Sequence, residues 1–351
     1  MRYDFWSNEP VDDRGASGVI SEEDRIAANV EALPDGFEFD NQSDIAEIAE
    51  FLERNYVEDV SSGHSLMYSR KFLEWMFNSE SGKRYRIVFR ESGVMVGFIY
   101  GRKHKLVVNG EDDNVLGVNL LCVSRKHRGK RIAPLLIKEI VRQANVDGIY
   151  RGVFTAGNEL FSCVCVGRYY HRPLRMDRLV EAGFCDRMVP VKKLEARKGT
   201  RLARSEDMEV IRMLYLKEIT KHALHEEMDE NITDLRCLDD VIYTYVHESV
   251  DGISEFGSFF VIDTVEKESG KKIRGAYMWY RGGEDLRMIV NDLMYFAEKC
   301  GCDVFNCLDI MGNALFLKEH EFCIGTGVLR YYLYNWKMEK IDKSKVFFVF
   351  P

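Results

Sequence analysis

Arg125, Lys126, Arg128, Lys130 and Arg131 crowd around Gly129 between two apolar stretches. Val118, Leu120, Leu121, Cys122 and Val123 precede them and read as a buried strand. Ile132-Ala133-Pro134-Leu135-Leu136-Ile137 follows with helical spacing, and Pro134 is tolerated only in a first turn, where its missing N–H has no intrahelical partner. Free backbone N–H groups and the positive end of a helix dipole, with cations beside them, make a binding place for phosphate. A solvated basic turn between two core elements has the same composition, and both readings stand on these residues alone.

Other chemistry-bearing residues are fewer. The nine cysteines are an odd number, and most lie in apolar runs, as buried thiols of a reducing compartment do. Cys163-x-Cys165 and Cys300-x-Cys302 lack zinc-ligand spacing and a nearby histidine pair, so no metal site is expected. Cys122 sits in an apolar strand that would raise its pKa and blunt it as a nucleophile. His171, in Arg168-Tyr169-Tyr170-His171-Arg172, fits either a structural ring or a substrate contact. The chain ends Lys345-Val-Phe-Phe-Val-Phe-Pro351, a continuous apolar run that reads as a strand buried on both faces and carrying its own α-carboxylate inward. A final strand whose tip reaches solvent is the simpler alternative, because burying an unpaired carboxylate is costly.

The elements that must position these residues recur. Residues 1–35 are polar and read as an extended arm with no longer tail before it. Ile45–Tyr56 has helical spacing, with a loop after Asn55-Tyr56-Val57-Glu58-Asp59, and Lys71–Phe77 is a short amphipathic helix. Tyr85–Phe89 with Val94–Tyr100, and Lys105–Val108 with Val115–Val123, predict two hairpins. A helix over Ala133–Asn145 and a strand at Val153–Gly157 follow. Beyond a polar stretch, Lys192–Ser205, come a helix over Glu209–Leu224, a hairpin of Phe259–Asp263 with Ile273–Tyr280, a helix over Leu286–Cys300, a strand over Asp303–Ile310, and a helix over Asn313–His320. Arg330-Tyr331-Tyr332 then repeats Arg168-Tyr169-Tyr170. The repeated order predicts an α+β (mixed α/β) fold built by duplication, divided at 1–190 and 191–351.

With 351 residues, 46% of them hydrophobic, the chain can bury an ample core. Its net charge of −8 argues against a general nucleic-acid binder. No apolar run reaches the roughly 18 residues of a membrane span, and no signal peptide opens the chain, so a cytoplasmic, monomeric protein is expected.

Several stretches together resemble the N-myristoyltransferases. Arg128-Gly129-Lys130-Arg131 between strand and helix is similar to the pyrophosphate turn of GNAT-type acyltransferases. V-N-L-L-C-V, Tyr3-Asp4-Phe5-Trp6, N-Y-V-E-D, T-A-G, R-Y-Y-H-R, D-V-F-N-C-L-D-I-M and R-Y-Y-L-Y-N-W-K resemble that family's segments in order, nearly end to end. The resemblance implies a duplicated GNAT-type fold with pseudo-twofold related halves around a continuous mixed sheet, acyl-CoA held by the first half and peptide by the second. It implies transfer of a tetradecanoyl group from myristoyl-CoA, a substrate rather than a resident cofactor, to the α-amine of an N-terminal glycine. A GNAT-type enzyme using another acyl group or amine, or a non-catalytic acyl-CoA- or peptide-binding relative, remains the alternative.

Carried over residue by residue, the backbone N–H groups of Leu120 and Leu121 form the oxyanion hole, Asn119 and Thr155 orient the amine, and the Pro351 carboxylate is the general base. Acyl-CoA falls to Tyr3, Asp4, Phe5, Trp6, Cys122, Val123, Arg128, Gly129, Lys130, Arg131, Ile132, Ala133 and Pro134. Peptide falls to Val57, Glu58, Asp59, Tyr68, Gly157, Tyr169, His171, Gly327 and Leu329. The chemistry is consistent. A peptide amine of pKa about 7.7–8.0 is mostly ammonium at neutral pH, and a free α-carboxyl near 3.5 is a poor base for it. Burial beside Phe348, Val349 and Phe350 would raise the carboxyl and narrow that gap.

The chain also departs from the family pattern. Gly117, Leu120, Ser124 and Arg125 replace Glu, Phe, His and Lys, and Glu321-Phe-Cys-Ile-Gly-Thr-Gly327 stands for K-F-G-x-G-D-G. Val60, Ser61 and Thr326 replace acids that meet a substrate lysine, and a long insertion after Tyr280 is missing. Weaker selection for that lysine is the expected consequence.

Overall fold

The computed structural model describes residues 33–56, 58, 59, 63–78, 82–160, 162–229, 232–266, 268–336 and 338–351. Tyr3, Asp4, Phe5, Trp6 and Val57, assigned above to substrate contacts, lie outside them, as do Val60 and Ser61. Strand β1 (Phe37–Asp40) leads to α1 (Ile45–Asn55), whose N-cap Asp44 accepts a hydrogen bond from the Ala46 N–H and whose Ile48, Phe51 and Leu52 are buried. Short strands β2 (Glu58–Asp59) and β3 (His64–Met67) precede α2 (Arg70–Asn78). The chain then enters β4 (Arg84–Glu91), β5 (Val94–Val108) and β6 (Glu111–Val123), a meander of long strands. The two separate segments expected at Val94–Tyr100 and Lys105–Val108 are one strand, because Arg102, Lys103 and His104 keep pairing with Gly117, Leu116 and Val115. Helix α3 (Ile132–Val146) and β7 (Arg151–Ala156) follow, with β7 parallel to β6.

Next come β8 (Cys165–Pro173), α4 (Met176–Glu181), β9 (Thr200–Leu202), α5 (Met208–Ile219) and β10 (Leu224–Glu226). The helix predicted to reach Leu224 stops at Ile219, and Leu224 begins a strand instead. The meander β11 (Ile242–Ser249), β12 (Gly252–Glu266) and β13 (Lys272–Gly283) repeats that of β4–β6, and α6 (Leu286–Lys299) with β14 (Val304–Leu308) repeats α3 with β7. Only Glu284 and Asp285 join β13 to α6, as the missing insertion foretold. The chain closes with α7 (Ala314–Leu317), β15 (Cys323–Tyr334) and β16 (Val346–Phe347).

Two compact units emerge, and both are discontinuous in sequence. One comprises residues 1–56, 82–166 and 328–341, the other 57–81, 167–327 and 342–351, so a linear division at 190 cuts across them. The first unit carries strands in the order β1-β4-β5-β6-β7 and then the C-terminal part of β15, paired with β7 from Arg330↔Ala156 to Tyr334↔Gly152. The second carries β9-β11-β12-β13-β14 and then β8, antiparallel to β14. The strand after β7 thus completes the second unit's order, and the strand after β14 completes the first's. In the first unit, the i, i+4 row Ile132, Leu136, Ile140 and Ala144 of α3 packs on Tyr85, Ile87, Phe89, Val96, Ile99 and Leu116. The buried Ile132, Leu136 and Ile140 side chains of that row contribute about 1.5–3 kcal/mol each. Aromatic rings build much of the second core, where Tyr245 stacks on Phe296 at 4.3 Å and Tyr243 on Phe259 at 5.3 Å.

Candidate active site

The first unit's site begins where a strand stops being regular. Phe98 pairs with Cys122 and Tyr100 with Asn119, so Ile99 of β5 faces two residues of β6, Leu120 and Leu121. Leu120 is left-handed (φ 54°) and 1% exposed, a conformation that an L-residue adopts only when its surroundings enforce it. The parallel β6–β7 ladder ends at Val118↔Phe154, although the strands run on to Val123 and Ala156. Past that rung the ladder is open, at the very residues assigned to catalysis: Asn119, Leu120 and Leu121 on β6, and Thr155, paired on its other side with Tyr331. The Asn119 Oδ1 accepts a hydrogen bond of 2.8 Å from the Leu120 N–H. Tyr56 also bonds the Leu120 backbone, and burial pushes its hydroxyl pKa up. Burial pushes the Cys122 thiol up to about 12, which leaves it a wall rather than a nucleophile.

The basic turn follows at once. Ser124 starts a 3₁₀ turn over Arg125–His127, where the Ser124 Oγ and His127 Nδ1 lie 2.5 Å apart. Gly129 (φ 82°) and Arg131 (φ 61°) are left-handed and bend the chain into α3. The first turn of α3 has no side-chain cap and no acid, and Pro134 is its third residue. Its leading N–H groups, from Ile132 and Ala133, are therefore not taken by a cap. Lys126, Lys130 and Arg131 are exposed beside it. The Arg128 Nη2 donates to the Asn55 carbonyl at 2.8 Å, and the Arg125 N–H donates to the Asn55 Oδ1 at 3.1 Å. The end of α1 is thereby tied to the turn. Asn55 and Tyr56 were legible only as the start of a peptide loop; their hold on the turn and the bulge has no signature in sequence.

In the second unit, Tyr169 and His171 stand on β8. The His171 Nδ1 lies 2.7 Å from the Asn306 Oδ1, an amide oxygen that can only accept, so the Nδ1 carries the proton. Burial lowers the His171 pKa, partly offset by that bond. Gly325 admits the ring: a Cβ there would lie 2.3 Å from the His171 Nε2. Gly327 faces the Tyr169 ring, whose edge meets Tyr277 with centroids 6.3 Å apart. Tyr68 is half-buried and tilted against Phe72. Glu58 and Asp59 form β2, paired with Ser65 and His64. In the first unit, the Arg330 guanidinium donates to the Gly157 carbonyl, and Leu329 is half-buried in β15. Glu321, where the resembled family has Lys, lies 3.3 Å from the buried Arg172 guanidinium.

The C-terminal run behaves as its composition predicts over most of its length. Val346, Phe347, Phe348 and Val349 are at most 6% exposed, and Pro351 is half-buried. Only Val346–Phe347 forms a ladder, parallel to Leu224 and His225 of β10. Beyond it, the Trp279 Nε1 donates to the Val349 carbonyl at 3.0 Å.

Comparison with known proteins completes the picture. Residues 19–166 match the profile of the myristoyl-CoA:protein N-myristoyltransferase N-terminal domain, and residues 182–346 that of its C-terminal domain. Glycylpeptide N-tetradecanoyltransferase 2 of Danio rerio is 31% identical over 98% of this chain and 76% of its own length. The crystal structure of Saccharomyces cerevisiae N-myristoyltransferase with bound myristoyl-CoA superposes with a TM-score of 0.86 at 26% identity, covering 100% of both chains. A GCN5-related N-acetyltransferase from Anabaena variabilis matches at a TM-score of 0.51 and 14% identity over 85% of this chain and 72% of its own, a likeness of fold alone. Among the described residues, no helix is long and apolar enough to cross a membrane. The chain therefore belongs to the myristoyl-CoA:protein N-myristoyltransferase family and is an acyltransferase, a glycylpeptide N-tetradecanoyltransferase.

Proposed function

We propose that this chain moves the tetradecanoyl group of myristoyl-CoA onto the α-amine of an N-terminal glycine, with the open bulge of the first unit as its oxyanion hole. The amine nitrogen attacks the thioester carbonyl carbon, the carbon–sulfur bond breaks, and CoA leaves as thiol or thiolate. The N–H groups of Leu120 and Leu121 stabilise the developing oxyanion, for which the Asn119 side chain must first release the Leu120 N–H. That exchange frees Asn119, with Thr155, to orient the amine. The Pro351 carboxylate accepts the amine's proton. Lys130 and Arg131, with the amides of Gly129, Ile132 and Ala133, hold the CoA phosphates, while Arg128 fixes the turn's shape. Cys122, Val123 and Pro134 line the donor's path, and the Tyr3–Trp6 segment meets its adenine end.

The buried donor chain offers about 0.8 kcal/mol per CH₂, roughly 10 kcal/mol for this length, to hold and position it. Tyr68, Gly157, Tyr169, His171, Gly327 and Leu329, with residues 57–59, receive the peptide. The second unit is thereby read as its main receptor and the first as that of acyl-CoA. One observation supports this reading most: a left-handed Leu120 in an open bulge, on the strand that leads into an uncapped, cation-flanked helix start. CoA release from myristoyl-CoA with a glycine-initiated peptide tests it. Release with that peptide and none with its alanine-initiated twin is expected; equal release with both would refute glycine transfer.

A further inference from the structure

If the Pro351 carboxylate is the general base, something must hold a chain end to the tolerance that proton transfer demands, and the second unit contains a device suited to that. Arg281 of β13 is 1% exposed and Glu218 of α5 is 3% exposed, and the Arg281 Nη1 lies 3.5 Å from the Glu218 Oε1. The Arg281 Nη2 donates to the Met311 carbonyl at 2.7 Å and to the Asn313 Oδ1 at 2.9 Å, and its Nε donates to the same Asn313 oxygen at 3.2 Å. Asn313 is itself fixed, its Nδ2 donating to the Leu308 carbonyl at 2.8 Å.

Met311 is left-handed (φ 57°), a conformation that a side chain this large keeps only under external constraint. Its N–H is shared between the Val346 carbonyl at 3.0 Å and the Lys343 carbonyl at 3.2 Å. Beside its pairing with β10 and its bond to Trp279, the final segment is therefore held by a residue whose carbonyl is gripped by a buried guanidinium. A second grip comes from the turn between α5 and β10: the His222 Nδ1 lies 3.1 Å from the Ser344 carbonyl, and the His222 Nε2 lies 3.6 Å from the same Glu218 Oε1. The His222 ring stacks on Phe347 at 4.8 Å. The Glu218 Oε1 thus faces Arg281 and His222 at once, while Lys221 donates to the Oε2 at 2.5 Å from the exposed side. Arg281 and His222 both reach residues at or next to the terminal strand.

A pair of apolar side chains would fill the same volume without the desolvation cost of two charges. The charged pair is retained here where it can direct a backbone carbonyl, which apolar packing cannot do. We propose that the buried Glu218–Arg281 pair acts as a positioning device for the C-terminal base, with Arg281 setting the Met311 backbone from which the last strand is suspended.

The test is the single-turnover rate of acyl transfer in the full chain, scored per myristoyl-CoA binding site so that misfolded protein does not count. Glu218→Met with Arg281→Met keeps the volume filled and removes both charges. The expected result is a rate at least about tenfold lower, with acyl-CoA affinity and peptide KM within about twofold of the parent. Arg281→Lys keeps the charge on a single nitrogen but loses the fork, and is expected to fall between the two; it serves alone should the double variant not fold. A role in stability only would lower the melting temperature and leave the rate per site unchanged, which overturns the proposal. A chain lacking Phe350 and Pro351 is measured alongside. Collapse of that chain with parental rates in the Arg281 variants refutes the positioning role and spares the base, whereas a fully active shortened chain refutes the base itself.

Discussion

Each unit interrupts a long hairpin at the same place, two residues beyond the last rung of its parallel ladder, and puts the interruption to opposite use. In the first unit the ladder ends at Val118↔Phe154 and the bulge is Leu120-Leu121; in the second it ends at Tyr277↔Asn306 and the bulge is Trp279-Tyr280. Opposite the first bulge stands Ile99, an aliphatic side chain with nothing to donate or accept. Opposite the second stands Ser258, whose hydroxyl donates to the Tyr280 carbonyl at 3.0 Å and accepts from the Tyr280 N–H at 3.1 Å. Neither Trp279 nor Tyr280 is left-handed, and the Trp279 indole is held by the Val349 carbonyl. The second bulge is thus satisfied from within.

The helices that follow diverge in the same sense. Helix α3 starts uncapped behind the basic turn from Ser124 to Arg131, whereas the α6 N-cap Asp285 accepts from the Met288 N–H at 3.1 Å and puts a carboxylate where an anion would sit. One scaffold, then, is left open or closed from within according to a few side chains: the residue facing the bulge and the residue capping the helix.

The largest effect is expected at the chain end, where the Trp279 indole of the closed bulge holds the Val349 carbonyl. Removing Phe350 and Pro351 is expected to lower turnover by roughly 10²–10⁴-fold and to leave myristoyl-CoA binding within about twofold, measured by stopped-flow CoA release and calorimetry. Next comes the open helix start. Lys130→Ala with Arg131→Asn, the asparagine chosen because it tolerates a left-handed backbone, should weaken acyl-CoA binding by about 1.5–3 kcal/mol per lost contact and flatten its salt dependence.

Ser258→Ala should cost about 1–3 kcal/mol in denaturant unfolding, because it strips a buried backbone amide of its partner, with acyl-CoA affinity unchanged. The smallest effect concerns His171. Its folded pKa is lowered chiefly by burial, so the neutral ring's contribution is complete above the unfolded value of about 6.5 and is lost as pH falls through the folded one. Thermal melts at pH 7 and pH 5 should show a smaller acid loss in His171→Asn than in the parent.

Much of this was legible beforehand for identifiable reasons. Cations around Gly129, with Pro134 just inside a helix, announce the turn; alternating and apolar runs announce the hairpins; the repeated order of elements announces the duplication. The bulge did not announce itself. Leucine has no preference for the left-handed region, and Leu120 adopts it because strand pairing on either side leaves it no other course. Nor did the exchange of β8 and β15 between units, since Arg168-Tyr169-Tyr170 and Arg330-Tyr331-Tyr332 look alike and pairing partners are a long-range property. Arg281 reads as one more charge before Gly282-Gly283, and its burial depends on Glu218, sixty-odd positions away.

The open bulge is the central claim, and Ile99→Ser tests it most directly by giving the first unit the second unit's hydroxyl. Single-turnover transfer from bound myristoyl-CoA is the measurement. With the Leu121 amide engaged as the Tyr280 amide is, the rate per myristoyl-CoA binding site is expected to fall roughly 10²–10³-fold while acyl-CoA affinity stays at the parent's level. Stability falls by about 2–4 kcal/mol, because Ile99 leaves the core beneath α3. A folded Ile99→Ser chain that transfers within about threefold of the parent would contradict the oxyanion role of the bulge.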